Sequence, residues 1–486
     1  MSYSIALASI SEVASRISAG EVSPVDLVSG TLDRIRTLDP VLRAYVTVFE
    51  EEALAGARVA ADEIAGGNHR GPLHGIPVAV KDNVAVAGHP TTNGSVLWAD
   101  HKTDFDAEVV TRLRRAGAIV VGKNNMHEWG MGGTCKDMHF GTVRNPWDPA
   151  RIPGGSSGGS AAAVSAGMAW AAVGTDGWGS IRTPASYCGV VGLMPTHGLA
   201  SRFGELPPTS SWHHTIGPIT RTVGDAATLL DVMAGHDPKD PTSIHSGFEG
   251  SYRDGLARGT SRLRVGLPGS YFFDDALAEV EETVRDAARV LEDLGAAVEE
   301  VDLSAFYEIP LALAAAQHES QSLLLPHALA RPDGFATPEI RYRILAGEFV
   351  SAADHRRGLQ VRNEIRAGVA RVFEAVDVVL TPCNSTVSFP IDARQVGIRG
   401  GRCVELDQPG AQSRLTTRLT LPWNMVGAPA VSIPSGRYVD GLPVGLQLSA
   451  RRLHEPLLLR VAAAYEAAAG GYRPPPLPGV GESPVI

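Results

Sequence analysis

Two short glycine turns carry the serines able to do chemistry in this chain. One is Gly154-Gly155-Ser156-Ser157-Gly158-Gly159 and the other is Gly177-Trp178-Gly179-Ser180, both within Pro153–Pro184. Glycine lets backbone approach backbone, or a ligand, with no Cβ in the way. A serine in such a turn presents its hydroxyl beside free backbone N–H groups, the chemistry of a nucleophile next to an oxyanion hole. A base is also required. Lysines are scarce, and Lys81, Lys102, Lys123, Lys136 and Lys239 are the whole set. Lys81 closes the apolar run Ile76–Val80. At that position it either reaches solvent or is desolvated and neutral enough to take a proton.

Several schemes can be tested against the letters. Ser156 and Ser157 each centre a G-x-S-x-G string, but a nucleophile elbow must follow a strand, and Asn145–Pro153 holds three prolines. No serine stands three residues before any lysine, so an S-x-x-K pair is absent. His213-His214 offers a base, although paired histidines in a loop are more often structural. Gly117–Lys123 resembles a phosphate loop, yet Asn124 follows the lysine where Ser or Thr is required. His127-Glu128 starts a zincin-like string that fails at Met131. No metal and no cofactor is implied.

The elements that must position these residues read as an alternation of strands and helices, hence an α/β sheet. Ile10–Gly20, Pro24–Leu38 and Glu50–Ala65 have helical apolar spacing and form a helical N-terminal layer. Ser23-Pro24 is a helix start and Asp39-Pro40 a stop. Strands are predicted at Ile76–Val80, Ile119–Val121, Tyr187–Leu193, Leu263–Leu267, Val298–Val301 and Val376–Thr381. A pair at Ala430–Ile433 and Val444–Leu448 is joined by a turn at Asp440-Gly441. Helices are predicted at Asp106–Ala116, Ser160–Val173, Val223–Ala234, Ala276–Leu294 and Glu455–Ala469. Ser304–Arg371 is mostly helical and weakly patterned, suited to covering a pocket, and the proline-rich tail reads as loose.

The chain of 486 residues is 44% hydrophobic, ample for a large core, and reads as one domain over 1–486 with its signature core at 70–235. With 43 basic against 53 acidic residues, the net charge of −10 gives no support for nucleic-acid or anionic-membrane binding. No run approaches a membrane span and no secretory leader is legible, so the reading is a cytoplasmic protein. Cys135, Cys188, Cys383 and Cys403 are far apart and form no C-x-x-C pair, so buried free thiols are the default.

Over nearly its whole length the chain resembles the amidase signature family of serine hydrolases. The matching segments, in order, are Gly75–Asn83, Gly122–Gly133, Asn145–Pro146, Pro153–Gly167, Gly174–Pro195, Gly217-Pro218 and Gly441–Leu448. The resemblance implies a single α/β domain, a central mixed sheet covered by helices on both faces. It also implies a catalytic triad with Ser180 as nucleophile, Ser156 as the cis-serine that relays a proton, and Lys81 as base. The backbone N–H groups of Gly177, Trp178, Gly179 and Ser180 would surround the oxyanion. Ser157, Asp176 and Arg182 match supporting positions, with Asp176–Arg182 a buried pair.

Two departures stand out. Trp178 occupies a position where the family usually has glycine, and if the backbone there had positive φ a tryptophan would be strained. The expectation is that it shapes the pocket. Ser211–Pro218 reads SWHHTIGP, unlike the Ser-Leu-Asp-Gln lead into Gly-Pro of the amidotransferase subunit that amidates glutamyl-tRNA. On that ground the expectation is a free-standing amidase for a small or aryl amide. Carbamates, esters and hydrazides are alternatives, with a silent binding relative and the tRNA-dependent subunit behind them. Its partners would be a small-molecule amide and, as among relatives, a second copy, with no nucleic acid and no membrane. Met131, Gly132, Trp178, Tyr187, Cys383 and Trp423 fall in segments able to line the pocket.

Overall fold

The computed structural model describes residues 3–207, 212–408 and 410–477. Ser211 and residues 478–486 of the proline-rich tail lie outside the described residues. The architecture is α/β, built on one mixed sheet of 11 strands. From one edge to the other the strands are Tyr45–Val48, Ile119–Asn124, Pro77–Lys81, Ala171–Asp176, Thr215–Thr220, Val191–Met194, Ala430–Val439, Leu442–Ala450, Val378–Pro382, Arg264–Pro268 and Ala297–Val301. Large buried clusters lie on both sides of the sheet. Most central strands are buried along their whole length, which is why they read as continuous apolar runs and not as alternating ones.

Three neighbouring strands position the chemistry. Pro77–Lys81 runs parallel to both Ile119–Asn124 and Ala171–Asp176, with Val80 opposite Val173 and Lys81 opposite Asn124. Lys81, Thr175 and Asp176 therefore emerge together at the carboxyl ends of adjacent parallel strands, where open α/β sheets place their sites. Thr215–Thr220 flanks them antiparallel, with Thr215 opposite Asp176.

Two predicted elements are different in the structure. The apolar run Ser160–Val173 divides into a helix, Gly158–Ser165, and the strand beginning at Ala171. The helix ends at Ala166-Gly167, where Gly167 has φ +68. Alanine composition favours helix, but sheet burial overrides it for the second half. Tyr187–Leu193 likewise divides: Arg182–Cys188 is a helix capped by Gly189, and only Val191–Met194 is a strand. Asp39-Pro40 does not stop its helix, which continues through Pro40 to Leu42. The helical N-terminal layer also contributes the edge strand Tyr45–Val48 to the sheet.

The segment 304–371 is helical, with Ile309–Ser322, Leu325–Ala330, Pro338–Gly347 and the long Ala352–Ala375. No helix among the described residues is long and apolar enough to cross a membrane. Cys135, Cys188 and Cys383 are buried free thiols, whereas Cys403 is exposed.

Candidate active site

Lys81 is fully buried, and its ammonium donates to Ser156 Oγ at 2.7 Å, to Thr175 Oγ1 at 2.8 Å and to Thr175 O at 3.4 Å. All three acceptors are neutral. Burial lowers its pKa to about 8, against the opposing pull of Cys135, Glu205 and Asp176. Taking a charge out of water without an adjacent carboxylate to compensate favours the neutral amine. Lys123, also buried, donates to Val84 O at 2.6 Å and lies 3.5 Å from Asp82 Oδ1. It braces the loop behind the site.

Ser156 follows a cis peptide bond, Gly155–Ser156. The turn is packed from behind: a Cβ on Gly159 would meet Asn125 O at 2.3 Å, so only glycine fits. Ser157 N donates to Ser180 O at 3.1 Å and its hydroxyl donates to Thr175 O at 3.2 Å. This serine ties one glycine turn to the other. Ser156 and Ser180 line the same cavity of about 80 Å³, together with Met131, Gly132 and Trp178.

The second turn is held by a buried ion pair. Arg182 Nε and Nη2 donate to Asp176 Oδ2 and Oδ1, each at 3.0 Å, a bidentate contact with both side chains excluded from water. The remaining guanidinium hydrogens reach Thr420 O, Gln447 Oε1 and Asn424 Oδ1. Burial raises the Asp176 carboxyl, but Arg182, Asn424 and the Gly179 N–H outweigh it and leave its pKa below the usual value. The pair is fully hydrogen-bonded, the condition under which a buried ion pair is tolerated.

Gly179 N donates to Asp176 Oδ1 at 2.6 Å. Its N–H is therefore committed to the carboxylate, a correction to its expected place in the oxyanion hole. Positive φ in this turn falls on Gly179, at +115, and not on Trp178. A Cβ at Gly179 would also lie 1.9 Å from Thr420 Oγ1. Trp178 is thus tolerated without backbone strain, and its indole projects. It lines both the cavity of Ser156 and Ser180 and an adjoining chamber of about 870 Å³. The Arg343 guanidinium stands 5.6 Å from its ring centroid, within cation–π range.

Three residues expected in the pocket are elsewhere. Tyr187 is buried against Phe389 and Leu415, with its hydroxyl near Thr386. Cys383 is buried and its thiol donates to Arg182 O. Trp423 is fully buried beside Phe272 and Phe306. Large residues near a site in sequence serve packing here, which periodicity does not separate from lining. The cavity also gathers residues that sequence reasoning missed: Thr175, Asn83, Asn93, Glu205 and Arg343. Thr175 adjoins Asp176 and had a readable signal, whereas Arg343 lies in a helix without one. His127-Glu128 is structural: Glu128 accepts from Ala336 N at 2.7 Å and lies 3.2 Å from His139. No metal-binding cluster is present among the described residues.

The amidase family model matches residues 26–459. A subunit of glutamyl-tRNA(Gln) amidotransferase from Carboxydothermus hydrogenoformans is 39% identical over 94% of this chain and 96% of its own length. The Thermotoga maritima protein of the same name has a solved structure at TM-score 0.81 and 33% identity, covering 98% of this chain and 99% of that one. A chain from a vestigial protein complex that bears on the origins of an s-triazine catabolic enzyme superposes at TM-score 0.89 and 32% identity, covering 96% of this chain and all of that one. These similarities overturn the expectation of a free-standing amidase whose partners are a small or aryl amide and a second copy of itself. Relatives alike over almost the whole chain are subunits of an amidotransferase acting on tRNA. A bulk charge of −10 was a weak guide, because in a multi-subunit enzyme the surface facing RNA can lie on another chain. The sheet, the two glycine turns and the buried lysine at the strand ends all lie within the matched residues, and the chain belongs to the amidase signature family.

Proposed function

We propose that this chain is the amide-cleaving subunit of a tRNA-dependent amidotransferase, releasing ammonia from a carboxamide for transfer to an aminoacyl-tRNA. The observation that carries this reading is the 39% identity to a glutamyl-tRNA(Gln) amidotransferase subunit, spread over 94% of the chain. The site geometry supports the cleavage half.

Ser180 is the nucleophile, Ser156 the relay and Lys81 the base. Neutral Lys81 takes the Ser156 proton as Ser156 takes that of Ser180, and Ser180 Oγ attacks the amide carbonyl. The oxyanion is met by the N–H groups of Gly177, Trp178 and Ser180. The proton returns from Lys81 through Ser156 to the nitrogen, the C–N bond breaks and ammonia leaves. Water then adds to the acyl-Ser180 ester, with Lys81 and Ser156 again moving the proton, and the carboxylate departs. Asp176, Arg182 and Ser157 hold the turns in place. Met131, Gly132, Trp178 and the Arg343 cation bound the acyl portion of the donor.

The test uses the protein purified with its native companions from its own cells. The complex is given [amide-¹⁵N]glutamine or asparagine, glutamyl-tRNA and ATP to activate the acceptor carboxylate. The expected result is ¹⁵N in the aminoacyl group, lost in Ser180→Ala but restored by added [¹⁵N]ammonium. Release of ammonia with no labelled tRNA would overturn the transfer reading.

A further inference from the structure

A histidine stands at the wall of the catalytic cavity where no step has used it. The strand register Asp176 opposite Thr215 places the next pair, Gly177 and His214, across from each other. His214 and Gly177 both line the cavity with Ser156 and Ser180. The ring abuts the oxyanion turn with Nε2 nearest: a Cβ on Gly177 would fall 2.6 Å from His214 Nε2. Gly177 therefore leaves room for the imidazole, and the imidazole fixes one side of the space in front of the turn.

The other ring nitrogen is anchored. His214 Nδ1 lies 3.1 Å from Glu205 Oε1, and Arg202 Nε donates to Glu205 Oε2 at 3.0 Å. Glu205 is itself fixed beside the catalytic strand: it bridges Val84, and Leu206 N donates to Asn83 O at 2.8 Å. Burial raises the Glu205 carboxyl, but Arg202 and His214 more than offset it and hold its pKa at about 2. An ionised carboxylate only accepts, so a neutral ring placed this way carries its hydrogen on Nδ1 and presents a bare Nε2. A hydrogen-bond acceptor backed by a negative charge suits an N–H donor.

We propose that His214, oriented by Glu205, is a specificity-determining residue whose Nε2 accepts a hydrogen bond from an N–H group of the bound amide donor. The inference rests on the amide-cleaving reading and adds to it a residue that distinguishes N–H substrates from esters. Neither the serine relay nor the Asp176–Arg182 pair makes that distinction, since both serve an acyl carbonyl of any kind.

The experiment measures kcat/KM for ammonia release from L-glutamine, L-asparagine and propionamide, beside p-nitrophenol release from p-nitrophenyl acetate. His214→Asn keeps an N–H at the Nδ1 position for Glu205 and deletes the Nε2 acceptor. His214→Gln puts an amide group near Nε2 and loses the Nδ1 bond. Expected is a fall in the amide-to-ester ratio of roughly 10–100-fold in His214→Asn, partly recovered in His214→Gln. An unchanged ratio in His214→Asn, or equal losses on amide and ester, would overturn the role while leaving the amidase reading intact. A parent that cleaves p-nitrophenyl acetate but none of the amides would overturn both.

Discussion

The floor of the Ser156–Ser180 cavity and its helical cover hold their side chains in opposite ways. On the floor, Lys81, Asp176 and Arg182 are excluded from water, and their hydrogen-bonding atoms are met by Ser156, Thr175, Asn424, Gln447 and backbone groups. In the cover, Arg343 is half-buried, donates to Met131 O and lies over Trp178. Leu311, Leu329, Tyr342 and Phe349 are exposed there, Phe349 at 86%. The cover has its own small cluster around Phe335, Ile340 and Ile344, and the Glu128–Ala336 bond ties it to the floor. The dense pairing of Lys81, Asp176 and Arg182 fixes where charge develops. A loosely clad cover can vary what enters without disturbing the chemistry.

The largest effect that would test this contrast is at Lys81. Lys81→Ala removes the base from the floor, and amide turnover should fall about 10⁴-fold or more. In the parent, protonated Lys81 has no lone pair, so kcat/KM should rise about tenfold per pH unit up to about pH 8 and then level. A flat profile across that pH would mean that Lys81 does not titrate in the free enzyme.

Arg182→Met comes next. It leaves Asp176 buried and uncompensated, and urea unfolding should show a loss of about 3–5 kcal/mol. A loss below about 1 kcal/mol would mean that the floor relaxes around the missing cation and is not rigid.

The smallest effect belongs to the cover. Phe349→Ser removes an exposed ring, and stability of the isolated chain should change by no more than about 0.5 kcal/mol. A larger loss would show that the cover packs as tightly as the floor and would remove the contrast.

The letters by themselves carried the glycine turns, the serines within them and the apolar strand ending in Lys81. They carried the α/β alternation too, because buried parallel strands read as short apolar runs bounded by turns. Resemblance to the amidase signature motifs joined these pieces into a triad, which composition and spacing left open. Other features were not legible. The division of Ser160–Val173 into helix and strand depends on burial within the sheet, which overrides alanine's preference. That Trp178 is tolerated follows from the adjacent Gly179 taking the positive φ. That Gly179 cannot serve the oxyanion follows from where Asp176 points. Tyr187, Cys383 and Trp423 belong to the core because side-chain direction is set by the packing of elements distant in sequence. Arg343, Glu205 and His214 converge on the cavity of Ser180 from a distant helix, a loop and the start of a neighbouring strand. Local sequence specifies what a residue can do. The pairing of strands decides which residues it does it with, because strand register places side chains across distances that no local pattern encodes.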